Sequence, residues 1–260
     1  MSTVLIPSSE AVMKTILITG AGRRLGKDLA EYWLAQGWRV LAHYNTANEL
    51  ASHERLMSFQ ADLSSADSVL GLCEQLNDWL RANVTQLDGL VHNASCFVPD
   101  AVVGDRLRDH AEHVQKHLHV HVGAPYLLME ALKEYWANQA AVVAISDIYS
   151  DIPNQRFAAY CASKAGLQNL ALSQAQRLAG KVRVNVIQPG PVKFLPEHSE
   201  AYRQQVLSQS LIREELGYEA IIDACVYLMN ARALTGTVMR VDGGRFVTNR
   251  YDQTFVNQTS

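Results

Sequence analysis

The 260-residue chain has little of what marks several protein classes. Its four cysteines, Cys73, Cys96, Cys161 and Cys225, lie far apart and form no CxxC pair. That scarcity argues against a zinc or redox motif and predicts reduced thiols in a cytoplasmic protein. No apolar run approaches the ~18 residues of a membrane span, so no membrane partner is expected. The N-terminus has no basic stretch, and Pro7 cuts its apolar piece Val4–Ile6, unlike a secretory signal. Positive charge is not in excess. Lys and Arg total 23 against 26 Asp and Glu, a formal net charge of −3. A nucleic-acid footprint is therefore missing. Internal repeats, low-complexity tracts and linkers are missing too.

What is present is globular: 48% of residues are hydrophobic and 19% charged. One domain is expected, and a chain of this size hides about 70–75% of its extended surface without staples. Short β-branched runs alternate with longer amphipathic segments. The strand-like runs are 15–19, 39–43, 57–60, 89–92, 141–145, 182–187 and 238–241. Helical stretches are expected near 25–36, 65–80, 106–137, 158–179 and 218–230. Strand then helix, repeated, predicts an α/β fold, a Rossmann-type doubly wound parallel sheet covered on both faces. Residues 13–260 form the single domain. Residues 1–12 are expected to be a flexible arm. The stretch 189–212 is a long insertion before the last long helix and a candidate substrate lid.

The first strand runs into Gly20-Ala21-Gly22-Arg23-Arg24-Leu25-Gly26 and then a helix. Glycines permit a tight turn and close backbone approach to a pyrophosphate, and the helix start adds free N–H groups. An NAD site usually carries an acid after the second strand, to hold the ribose 2′-hydroxyl. This chain has His43-Tyr44-Asn45-Thr46 there, with no acid before Glu49. With Arg23 and Arg24 beside the turn, NADPH is the expected cofactor. Asp62, after the third strand, is placed to meet the adenine edge. Tyr160 and Lys164 are four apart and share one helix face. An ammonium there is expected to lower the tyrosine pKa and make it a usable proton donor.

Together these pieces resemble the short-chain dehydrogenase/reductases over residues 14–247. The resemblance rests on Thr19–Gly26, Asp62-Leu63, His92-Asn93-Ala94-Ser95, Tyr160-x-x-x-Lys164, Pro189-Gly190 and Val241-Asp242-Gly243-Gly244. Two departures narrow it. Arg24 stands where most members have a third glycine. Asp147 stands where most have a serine, thirteen residues before Tyr160. Both departures, with Phe97 closely after Asn93-Ala94-Ser95, are similar to the pteridine reductase branch. The stretches 92–95, 121–128 and 200–211 are similar to its bacterial dihydromonapterin reductases, which also reduce dihydrofolate less favourably. His121, where most members have an asparagine, is shared with them.

The resemblance implies catalytic Asp147, Tyr160 and Lys164. It implies a pterin site of Arg24, Ser95, Phe97, Asp147 and Tyr160, with Phe97 stacking on the ring. Cofactor contacts are expected from Gly20, Gly22, Arg23, Arg24, Leu25, His43, Tyr44, Asn45, Asp62, Leu63, Asn93, Ala94, Ser95, Lys164, Pro189, Gly190 and Val192. His43 and the arginines are the expected phosphate partners. The reaction implied is hydride transfer to C6 of a 7,8-dihydropterin with a proton to N5, in a homotetramer.

Plainer readings stand beside these. Asp147 could cap a loop, Phe97 could be core, Ser95 could cap a turn, and His121 could be a packed helix histidine. Arg203 and Glu200 could meet solvent or a pterin tail. The cluster His110, His113, His117, His119 and His121 has i,i+4 pairs but no carboxylate or cysteine at zinc spacing, so no metal is expected. Rival functions are a general carbonyl or 3-oxoacyl reductase and a non-catalytic NADP(H) sensor.

Overall fold

The computed structural model describes residues 13–248; the expected arm at 1–12 and the tail 249–260 lie outside the described residues. Seven strands, all parallel, form one sheet in the order β3-β2-β1-β4-β5-β6-β7. They are β1 (Thr15–Ile18), β2 (Arg39–Tyr44), β3 (Leu56–Gln60), β4 (Leu87–His92), β5 (Trp136–Ile145), β6 (Val182–Pro189) and β7 (Val238–Val241). Parallel strands covered on both faces need apolar side chains on both. β5 shows this by alternation: Val142 and Ala144 face one core, Val143 and Ile145 the other.

The first core also holds Leu72, Leu76 and Leu80 of α2 (Ala66–Ala82), Leu128 of α4 (Ala124–Ala131) and Leu167 of α5 (Ala158–Arg177). The second holds Leu29 and Trp33 of α1 (Arg24–Ala35) and Ile221 and Leu228 of α7 (Gly217–Asn230). Each fully buried leucine contributes about 1.5–3 kcal/mol. Among the described residues all four cysteines are unpaired, and no helix is long and apolar enough to cross a membrane.

Two boundaries differ from the sequence expectation. The helix expected over 106–137 is α3 (Leu107–Leu118), a π-turn (His119–Gly123) and α4, and β5 already begins at Trp136. Pro125 explains the π-turn. It has no N–H, and its ring would strike the carbonyl four residues back, at His121. The turn widens instead, and the Ala124 N–H reaches the His119 carbonyl. The second difference is within 189–212, which holds a short helix, α6 (Glu200–Leu207). A last short helix, α8 (Arg245–Thr248), supplies Arg245, which donates to the Val206 carbonyl and to Gln209, anchoring α6.

The chain leaves the sheet centre toward β3 and returns at β4, so strand order reverses between β1 and β4. The carboxyl ends of those two strands therefore border the crevice where ligands bind in such sheets.

Candidate active site

At that crevice the backbone is packed too closely for side chains. A Cβ on Gly20 would lie 2.8 Å from the Ala94 Cα; one on Gly22 would strike the Ala47 carbonyl, and one on Gly26 the Gly20 carbonyl. The Asn93 side chain donates to the Thr19 and Gly20 carbonyls, at 3.0 and 3.1 Å, and locks the turn to β4. α1 begins with no side-chain cap at Arg23. Its first N–H groups are left for an outside acceptor. Arg24 opens the helix at φ 54°, a left-handed angle.

This turn forms one end of a cleft of about 550 Å3. Of the residues expected from sequence, the cleft is lined by Gly20, Gly22, Arg23, Arg24, Leu25, His43, Tyr44, Asn45, Asp62, Leu63, Asn93, Ala94, Ser95 and Phe97. The glycine cradle and the uncapped helix start fit a dinucleotide's pyrophosphate. Asp62 is exposed, and hydrogen bonds from Ser64 hold its carboxyl below the usual range, so it offers an anionic acceptor.

His43 does something other than hold phosphate. Its Nδ1 accepts from the Gly20 N–H at 3.1 Å, and its Nε2 donates to the Ala61 carbonyl at 3.0 Å. Burial lowers its pKa, so the ring is neutral with both nitrogens engaged. It braces the glycine turn, and both of its ring nitrogens are engaged within the protein. Thr46 lines the cleft beside Asn45, and Lys116, Ala47, Leu195 and Tyr218, which sequence did not single out, line it too. Lys116 and Tyr218 stand in no motif; only the fold brings α3 and the start of α7 to the crevice.

Beyond Phe97 lies the chemical group. Tyr160 donates to Asp147 Oδ2 at 2.8 Å, and Asp147 Oδ1 accepts from the Tyr149 N–H at 2.9 Å. The loop-capping reading of Asp147 and the tyrosine partnership therefore both hold. Burial raises the Asp147 pKa, against hydrogen bonds and the Lys164 charge. Burial, and then Asp147, push Tyr160 well above 10. Lys164 was expected to pull the tyrosine down. Instead its Nζ donates to the Ile145 carbonyl at 2.9 Å and sits 5.7 Å from the Tyr160 ring centre. Its own pKa falls to about 8 through burial. Tyr160 thus keeps its proton, and the three groups titrate as a set.

Phe97 is 55% exposed and is not core. It stacks on Phe157 with ring centres 4.4 Å apart and meets the Tyr160 ring edge-on at 4.8 Å. It lines the cleft and touches the ring of Tyr160, the partner of Asp147. Asp147, Tyr160, Lys164, Pro189, Gly190 and Val192 are not in the cleft lining. Gly190 packs against Asp242 and donates to the Val241 carbonyl, and Val192 accepts from the Gly217 N–H.

His121 is fully buried between Ser95 Oγ at 2.9 Å and Ser163 Oγ at 2.8 Å. Three of the other histidines have separate partners: His113 with Asp100, His117 with the His113 carbonyl, His119 with the Leu63 carbonyl. Among the described residues no group of three or more His, Cys, Asp or Glu is arranged for a metal. Arg203 donates to the Leu195 and His198 carbonyls, so it braces the 189–212 segment rather than reaching a ligand. Glu200 accepts from Gln204 at 2.7 Å.

Residues 20–245 match the family model described as enoyl-(acyl carrier protein) reductase. A dihydromonapterin reductase of Klebsiella pneumoniae is 36% identical over 250 residues, covering 91% of this chain and 98% of the relative. One from Enterobacter sp. is 34% identical, covering 90% and 98%. Among solved structures, a FolM alternative dihydrofolate reductase 1 from Brucella suis in complex with NADP superposes with a TM-score of 0.73 at 26% identity. It covers 90% of this chain and 95% of its own. A 4-hydroxyisoleucine dehydrogenase complexed with NADH superposes with a TM-score of 0.80 at 24% identity, covering 89% and 98%, and shows the fold alone.

Proposed function

The chain belongs to the short-chain dehydrogenase/reductase family, and on that premise we propose that it is an NADPH-dependent reductase of 7,8-dihydropterins. Dihydromonapterin is the proposed substrate and tetrahydromonapterin the product, with weaker turnover of dihydrofolate. The observation that carries this reading is the Asp147–Tyr160 hydrogen bond behind an exposed, stackable Phe97. A flat, electron-poor pterin suits an aromatic wall. Curated relatives named dihydromonapterin reductase support the same substrate.

The cofactor's pyrophosphate is assigned to the Gly20–Gly26 turn and the start of α1. Its 2′-phosphate is assigned to Arg23 and Arg24, with Asn45 and Thr46 in the same lining. When bound, the nicotinamide supplies the hydride that C6 of the dihydropterin receives. Tyr160 holds the proton that N5 needs, because burial and Asp147 keep the phenol protonated. Asp147 accepts the Tyr160 hydroxyl and orients its proton, and solvent restores that proton after each transfer. The Lys164 ammonium stabilises the anion left on that pair and holds the nicotinamide ribose.

The test is NADPH oxidation with dihydromonapterin, dihydrobiopterin, dihydrofolate and a 3-oxoacyl ester, with NADH as the cofactor control. Preference for the dihydropterins with NADPH supports the reading. Turnover of the oxoacyl ester alone, or silence on all four, overturns it.

A further inference from the structure

We propose that His121 is a positioning residue that makes Ser95 a hydrogen-bond acceptor only, so that the cleft takes a ligand presenting an N–H or O–H donor at Ser95. The substrate class this deepens rests on the dihydropterin reading; the hydrogen-bond relay itself does not.

Ser163 has one hydroxyl hydrogen, and it donates to the Tyr160 carbonyl at 2.7 Å, a group that can only accept. Ser163 Oγ also lies 2.8 Å from His121 Nδ1. With its own hydrogen in use, Ser163 accepts there, so Nδ1 carries a proton. His121 is fully buried, and Lys164 and His117 add positive charge nearby; all three hold its pKa well below the usual value. A neutral imidazole has one N–H, so Nε2 is an acceptor. A second group agrees independently. The Cys96 backbone N–H, which can only donate, points at Nε2 at 3.4 Å. Ser95 Oγ, 2.9 Å from the same nitrogen, must then donate its single hydrogen to it.

Ser95 is exposed on the cleft. Its hydrogen is turned inward to His121, and only lone pairs face the ligand. A ring edge rich in amine and amide N–H groups meets that requirement. A carbonyl or phosphate oxygen alone does not, because two acceptors would face each other. The polarity of the site is thus set from inside α5, through Ser163 and His121, by a carbonyl that belongs to Tyr160 itself.

The first test needs no ligand. Long-range 1H–15N correlation on the full chain labelled at histidine nitrogen reads which ring nitrogen bears the proton. His121 is assigned by its loss in His121→Gln, or by its shift in Ser163→Ala should the first variant fold poorly. A proton on Nδ1 and a bare Nε2 is expected; a proton on Nε2, or an averaged mixture, overturns the proposal. The second test measures binding of pterin, N3-methylpterin and 2-dimethylaminopterin to the NADP-loaded protein. At least one methylated probe is expected to bind tenfold or more weakly, and Ser95→Ala to erase most of that gap. No penalty for either methylation, or a penalty that survives Ser95→Ala, overturns the ligand side of the proposal. If pterin itself does not bind, the dihydropterin reading fails, and the tautomer alone decides the relay.

Discussion

Arg24 keeps a backbone angle that glycine would hold without strain. A left-handed L residue costs roughly 1–2 kcal/mol, and such strain persists where a side chain is needed. Arg24→Gly removes the strain but loses about 0.5–1 kcal/mol to backbone entropy. Stability measured by urea unfolding is therefore expected to change by less than about 1 kcal/mol. The NADPH dissociation constant is expected to rise about tenfold or more, the worth of one charge-assisted contact. Unchanged NADPH affinity would remove Arg24 from the site.

A second residue sets acid stability. Neither ring nitrogen of His92 has a partner among the described residues, and burial takes its pKa from 6.5 to about 4. Between those values the unfolded chain binds more protons than the folded one. Stability is then fully present above about pH 6.5 and is lost as pH falls toward 4, by about 3 kcal/mol in all. In His92→Leu the drop in urea midpoint between about pH 7 and pH 4.5 is expected to shrink. An equal drop in both proteins would show that other groups govern it.

At the scale of elements, the turn from β1 to α1 has no room to spare. Gly26→Ala sets a Cβ against the Gly20 carbonyl, with Asn93 Nδ2 2.6 Å away. Overpacking of this kind costs about 1–3 kcal/mol. It also moves the backbone that would cradle the pyrophosphate, so the variant is expected to melt lower and lose nucleotide affinity together. Loss of neither contradicts the cradle.

This turn was legible in sequence because each glycine answers a local steric need. The parallel sheet followed from the same logic, since parallel strands buried on both faces read as apolar runs, whereas such runs do not set the strand order. The π-turn was less visible. Apolar spacing continues through His119–Gly123, and only Pro125 marks the break. The role of His43 was hidden for another reason: its position at the end of β2 is local, but its partners Gly20 and Ala61 come from neighbouring connections. Lys164 was read as the tyrosine's partner from i,i+4 spacing, whereas the Ile145 carbonyl, supplied by β5, takes its ammonium.

At the scale of the molecule, α3 leaves an apolar stripe in solvent: Leu107, Val114 and Leu118 are 85%, 44% and 42% exposed. Their spacing sets them along one helix face. The homotetramer that the family resemblance implies would cover that stripe. Val114→Glu is expected to yield a smaller species in sedimentation with an unchanged circular dichroism spectrum. A wild-type chain that sediments as a monomer would leave the stripe without this explanation.

The sheet's reversal between β1 and β4 borders the crevice proposed for the cofactor, and Phe97 on its lining meets the proton-holding Tyr160–Asp147 pair. The most direct measurement of that division of labour is kcat for dihydromonapterin with NADPH, in wild type, Asp147→Ala and Phe97→Ala, beside NADPH affinity. The account predicts a fall of about 100-fold or more in kcat for Asp147→Ala, the usual worth of positioned proton transfer, a lower kcat/KM for Phe97→Ala, and NADPH binding intact in both. Pterin turnover untouched by both substitutions would contradict it.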